Sequence, residues 1–113
     1  MKYEDILPIS REELREALTS DSDERAARAI IATALHDTDW AWAEQQCLMA
    51  LQDRREDVRA AAIIGLGHIA RVHRRSTLSV TIPALKALRF DQHLGGTVED
   101  AIEDILMFVR ANG

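Results

Sequence analysis

The chain has 113 residues and a formal net charge of −5 at pH 7, with 47% hydrophobic and 29% charged residues. That suffices for one globular domain burying about two thirds of its unfolded surface, and it excludes disorder. Charges interrupt every apolar run well short of the roughly 20 residues a membrane span needs, and the acidic balance disfavours nonspecific nucleic-acid binding while suiting a basic protein partner.

Six helices are predicted in chain order. Ser10 caps the first: its hydroxyl can take a free amide while Glu13 reaches back, a capping box, with Ile9 and Leu14 placed for a hydrophobic staple. The second starts near residues 21–23, where acids oppose the positive end of the helix dipole, and runs to about Leu35. Its buried stripe is Ala27, Ile30, Ile31, Ala34 and Leu35. The third follows Asp39 and covers 40–51, with Trp40, Ala43, Cys47, Ala50 and Leu51 at helical spacing.

The fourth helix, 56–73, is apolar on two sides, Val58, Ala61, Ala62, Gly65 and Ile69 on one and Ile63, Leu66 and Ala70 on another, the pattern of a helix between neighbours. Gly65 and Gly67 each cost about 1 kcal/mol relative to Ala in a helix interior, which predicts a backbone crossing close by. A fifth helix over 77–89 contains Pro83, predicting a kink or a restart at about Ile82. Gly95 and Gly96 end the next loop, Thr97 caps the sixth helix with Asp100 at its third position, and Val98, Ala101, Ile102, Ile105 and Val109 face inward. The chain ends at Gly113, just past that helix.

Three segments fall into register. Ala29-Ile30-Ile31 lies over Ala62-Ile63-Ile64, and Ala101-Ile102 over Ala62-Ile63, at spacings of 33 and 39 residues. Unequal spacings of this size suit stacked helix pairs with loops of different length. Leu51-x-Asp53 followed by Asp57-Val58-Arg59-x-Ala61-Ala62-x-x-Gly65-Leu66-Gly67 resembles the second-helix signature of HEAT repeats. The first and third copies, with Glu24-Arg25 and Val98-Glu99, depart from it as terminal repeats do. The resemblance implies an all-α, short HEAT-like α-solenoid of three antiparallel helix pairs, about 10–36, 39–73 and 77–111, in a single domain. The wider arrangement, Asp39-Trp40, Cys47-Leu48, Gly67-His68-Ile69-Ala70-Arg71, Val98-Glu99-Asp100-Ala101 and Asp104-Ile105, is similar to small bacterial HEAT-like proteins. Some of these are immunity partners of contact-dependent or polymorphic toxins.

No catalytic set stands out. His36, His68, His73 and His93 include no pair at the i, i+4 spacing that aims two imidazoles at one metal, and the paired His-Glu motifs of HEAT-type di-iron hydroxylases are missing. Cys47 lies on a buried stripe without an adjacent base, so it reads as a core thiol. Gly65-x-Gly67 sits inside a helix, where no phosphate loop forms. Neither metal nor cofactor is expected, and no enzyme activity. One cysteine excludes an internal disulfide, and residues 1–5 carry acids without the apolar core of a signal peptide, so the expected location is the cytoplasm.

The candidates that remain are contact residues. Asp100 and Asp104 share one face of the sixth helix and Glu99 and Glu103 another, an acidic ridge that serves either as a solvated face or as a footprint for a basic toxin domain. Trp40 and Trp42 point about 200° apart, so both cannot face one neighbour. Trp42 heads a row with Gln45, Gln46 and Met49 that suits either packing on the first helix or contact with a partner. Arg54 and Arg55 precede the fourth helix, and Arg71, His73, Arg74 and Arg75 cluster at its end, where they complement its dipole and give the one feature favouring nucleic acid. The expected partner-binding residues are Trp42, Gln46, His68, Arg71, Asp100, Glu103 and Asp104. The expected function is protein binding, as an immunity protein against a basic toxin domain. The alternatives are a general adaptor and, third, a nucleic-acid-processing HEAT enzyme, with homodimerisation through one end of the stack left open.

Overall fold

A computed structural model describes residues 6–109. The acidic start and the end of the chain at Gly113 lie outside the described residues, as does the last part of the third predicted pair. Within them the chain is all helical: α1 Arg11–Thr19, α2 Asp23–His36, α3 Trp40–Ala50, α4 Glu56–His73, α5 Leu78–Lys86 and α6 Gly95–Phe108.

The helix starts follow side-chain chemistry. Glu13 donates its amide to Ser10 Oγ at 3.0 Å while Ser10 donates its own to Glu13 Oε1 at 2.9 Å, completing the predicted capping box. At α2 the cap is Ser22, whose hydroxyl accepts from the Arg25 amide, rather than one of the acids. Asp39 caps α3 by accepting from the Trp42 amide at 3.1 Å.

One start, one middle and one end differ from expectation. α6 begins two residues before Thr97, with Leu94 as N-cap and both glycines in its first turn. The Asp91 carboxylate accepts the amides of His93 and Leu94, so the turn leading into the helix is organised upstream of the glycines. Gly95 is nonetheless required there: a Cβ at this position would stand 2.6 Å from the Arg89 carbonyl oxygen. α5 runs unbroken through Pro83 and ends at Lys86, short of the predicted 89 and without a restart at Ile82.

α4 is the hub. It packs against α2, α3 and α6, its contact with α2 being the most extensive in the fold, while α1 lies on α2 and α5 on α6. This explains why ten of its residues, from Val58 to Ala70, are buried, and why α2 is buried on more of its circumference than a single stripe. Of the residues in repeat register, Ala29, Ile30, Ile31, Ala62, Ile63, Ala101 and Ile102 are buried, whereas Ile64 is half-buried.

The two α4 glycines do different work. Gly67 faces the backbone of α6, with Ala101 Cα 3.8 Å from where its Cβ would be. At Gly65 the obstacle is side chain rather than backbone, Cys47 Sγ at 2.8 Å and Ala34 Cβ at 3.2 Å. Gly65→Ala therefore gains about 1 kcal/mol of helix propensity and loses about 2 to overpacking. Urea unfolding should show a net loss of about 1 kcal/mol, and the same substitution should be neutral or stabilising in a Cys47→Ala background, where the obstructing sulfur is gone.

Candidate functional site

Four of the seven predicted contact residues meet in one place. His68, Arg71, Asp100 and Asp104 line a cleft of about 270 Å³ between α4 and α6, floored by Ile64, Gly67 and Ala101, with Thr97 at its edge. Helical spacing accounts for this: 64, 67, 68 and 71 form one stripe of α4, and 97, 100, 101 and 104 the facing stripe of α6. Gly67 lets the two approach, and Asp104 Oδ2 lies 3.5 Å from where a Cβ would be.

His68 is 4% exposed. Arg71, one turn on, donates from Nη2 to His68 Nδ1, so the neutral ring carries its proton on Nε2. Burial first, and the Arg71 charge second, lower the pKa of His68 to about 4. At neutral pH it is a neutral wall of the cleft, unsuited to giving or taking a proton there. The depressed value favours the unfolded chain's imidazolium as acid is added, so stability is complete above pH 6.5 and falls until the folded value near 4 is passed. Full burial would make the loss about 3 kcal/mol; because the cleft admits solvent, about 2 is expected. Denaturant unfolding at intervals from pH 7 to 4.5 should show this decline, and His68→Gln should flatten it.

The other predicted residues lie elsewhere. Glu103 is exposed on α6 outside the cleft lining. Trp42 and Gln46 are half-buried on α3, and the Arg11 guanidinium sits over the Trp42 ring at 3.9 Å while pairing with Asp37 and Asp39. Trp42 thus packs on α1 through a cation, one of its two sequence readings. The basic cluster after α4 is dispersed as well: Arg71 turns to His68, Arg74 covers Phe108 at 4.8 Å and Arg75 lies over Trp40 at 5.6 Å. Cys47 is fully buried, and burial pushes its thiol up to about 12, consistent with a core role.

Three features escaped sequence reasoning. Arg55, read as part of a basic pair, is 8% exposed, grips Asp53 with two hydrogen bonds and donates to the Ser20 and Leu18 carbonyls that end α1. Glu44 is 4% exposed and accepts three hydrogen bonds on Oε2, from Thr77 N, Thr81 Oγ1 and Ser76 Oγ. Its position one turn after Trp40 on the apolar stripe of α3 was the available signal. The third is a second cleft of about 380 Å³, between α2 and α4, lined by Glu24, Ala27, Ile31, Asp57, Ala60, Ala61 and Ile64.

Among the described residues, no group of three or more His, Cys, Asp or Glu side chains is placed to hold a metal, and no helix is long and apolar enough to cross a membrane. No family model matches the chain, and no curated protein does. The chain is similar to one in the crystal structure of a CDI complex from Cupriavidus taiwanensis LMG 19424, at 27% identity and a TM-score of 0.82, over 97% of this chain and 99% of that one.

Proposed function

We propose that the protein is a non-catalytic immunity protein that binds and neutralises a toxin effector domain in the cytoplasm, built as a single HEAT-like stack of three antiparallel helix pairs. The observation that carries this reading is the similarity to a chain of a CDI complex, where CDI is contact-dependent inhibition. It extends over nearly the whole of both chains, at 27% identity. The order of contacts, with α2, α4 and α6 in one row and α1, α3 and α5 against them, is what a stack of helix pairs requires.

The site chemistry supports a binding role. A buried imidazole kept neutral by its surroundings, a guanidinium committed to it and two carboxylates on the opposite wall make a recognition surface. His68, Arg71, Asp100 and Asp104 are the contact residues of this reading, with Glu103 beside them on α6. Trp42 and Gln46 are subordinate, since Arg11 already covers the Trp42 ring. The partner is a basic protein domain, which the net charge of −5 would steer toward the complex.

The reading expects a secreted toxin encoded beside this chain, and the test is reconstitution with the C-terminal domain of that protein. A 1:1 complex that abolishes that domain's activity in vitro is the expected outcome. A folded, monodisperse preparation that neither binds nor inhibits it would remove the immunity reading.

A further inference from the structure

The two clefts on either side of α4 are halves of one surface. Asp57, Ala60, Ala61, Ile64, Gly67, His68 and Arg71 recur at intervals of three and four, a single stripe along α4. Its first half faces α2 across one cleft and its second half faces α6 across the other, and Ile64 lines both. The facing stripes are Glu24, Ala27 and Ile31 on α2 and Thr97, Asp100, Ala101 and Asp104 on α6. The floor is made of small and branched apolar residues.

The charges on this surface are lopsided. Glu24, Asp57, Asp100 and Asp104 stand against Arg71 alone, since His68 is neutral at pH 7. Among the described residues, no hydrogen bond or ion pair engages any of these four side-chain carboxylates. Some acids elsewhere are engaged, Asp37 with Arg11, Asp53 with Arg55, Glu56 with His93 and Glu99 with Arg89, and others such as Glu12, Asp21 and Glu103 are not. What distinguishes Glu24, Asp57, Asp100 and Asp104 is that they border an apolar double groove.

We infer that this α2–α4–α6 face, and not the α3 face of Trp42 and Gln46, is the docking surface, and that it takes a partner element presenting an apolar ridge across Ile64 with lysine or arginine on both sides. The apolar ridge fills the two clefts, and the basic side chains reach Glu24 and Asp57 at one end and Asp100 and Asp104 at the other. Complementary charges at both ends fix the register of the element across Ile64. This inference deepens the immunity reading and rests on it.

The probe is again the C-terminal domain of the secreted toxin expected beside this gene, titrated against the full chain by calorimetry at low and high salt. Glu24→Gln/Asp57→Asn and Asp100→Asn/Asp104→Asn should each raise Kd about 30-fold and weaken its salt dependence, while Trp42→Ala/Gln46→Ala should stay within about twofold of wild type. All six positions are exposed or half-buried, and circular dichroism establishes that each variant is folded. Wild-type binding with either acidic pair leaving Kd within about twofold, or with the Trp42/Gln46 variant losing affinity instead, overturns the docking surface and leaves the immunity reading standing. Absence of wild-type binding overturns both.

Discussion

Glu44→Ala should destabilise the fold by about 3 kcal/mol, and Glu44→Gln by about 1, in equilibrium urea unfolding. The difference follows from geometry. All three hydrogen bonds to this carboxylate fall on Oε2, from the Thr77 amide at 2.8 Å, the Thr81 hydroxyl at 2.9 Å and the Ser76 hydroxyl at 3.2 Å. A glutamine carbonyl can occupy that point and keep the bonds while losing only their charge assistance. Alanine leaves the fully buried Thr81 hydroxyl without an acceptor and takes from the Thr77 amide, on an exposed residue, its protein partner. The carboxylate also takes over a task local sequence leaves undone, since Thr77 makes no side-chain cap at the start of α5. Equal losses for the two variants would show that charge, not the acceptor position, is what matters.

Arg55→Ala should cost about 3 kcal/mol, and Arg55→Lys should recover less than half of that. The guanidinium binds both Asp53 oxygens, at 2.9 and 3.1 Å, and the Leu18 and Ser20 carbonyls, at 2.8 and 3.2 Å. The last turn of α1 contains no basic residue, so Arg55 supplies from the start of α4 the positive charge that the end of α1 lacks. Its planar fork serves carboxylate and carbonyls at once, which one ammonium group cannot. The hydrogen bond from Arg55 holds the Asp53 carboxyl below the usual carboxylate range. A depressed carboxylate stabilises above its unfolded value, so this contribution is complete above about pH 4 and is lost as pH falls through the lowered folded value. It therefore lies below most of the His68 window, and the two can be separated along one acid titration. Neither Glu44 nor Arg55 lines the α2–α4–α6 face, so both variants should bind the partner normally at temperatures where they remain folded.

What was legible in the sequence follows from the reach of each signal. Periodicity and capping act within a few residues, and the start of α1 and both ends of α3 and α4 came out within about a residue because Ser10, Asp39 and the 56–73 apolar pattern are local. The start of α6 was misplaced because a Gly-Gly pair reads as a turn, while the deciding interactions, Asp91 to the Leu94 amide and Arg89 oxygen against Gly95, come from the preceding loop. The candidate site divides in the same way. Asp100 and Asp104 were found from i, i+4 spacing on one helix. Their meeting with His68 and Arg71, and the joining of Asp57 and Glu24 to the same face, depend on how α2, α4 and α6 lie together. Arg55 was misread and Glu44 passed over because composition treats charge as exposed, and both are buried by partners 35 and 37 residues away, Ser20 and Thr81.

The central claim, that this helical stack neutralises a toxin by holding it, is tested most directly by growth. Bacteria are induced to produce the C-terminal domain of the secreted toxin expected beside this gene, with or without this chain. Growth equal to that of cells lacking the domain, whenever the chain is present at comparable level, is the predicted result. Unrelieved arrest in cells that contain the folded chain would contradict it.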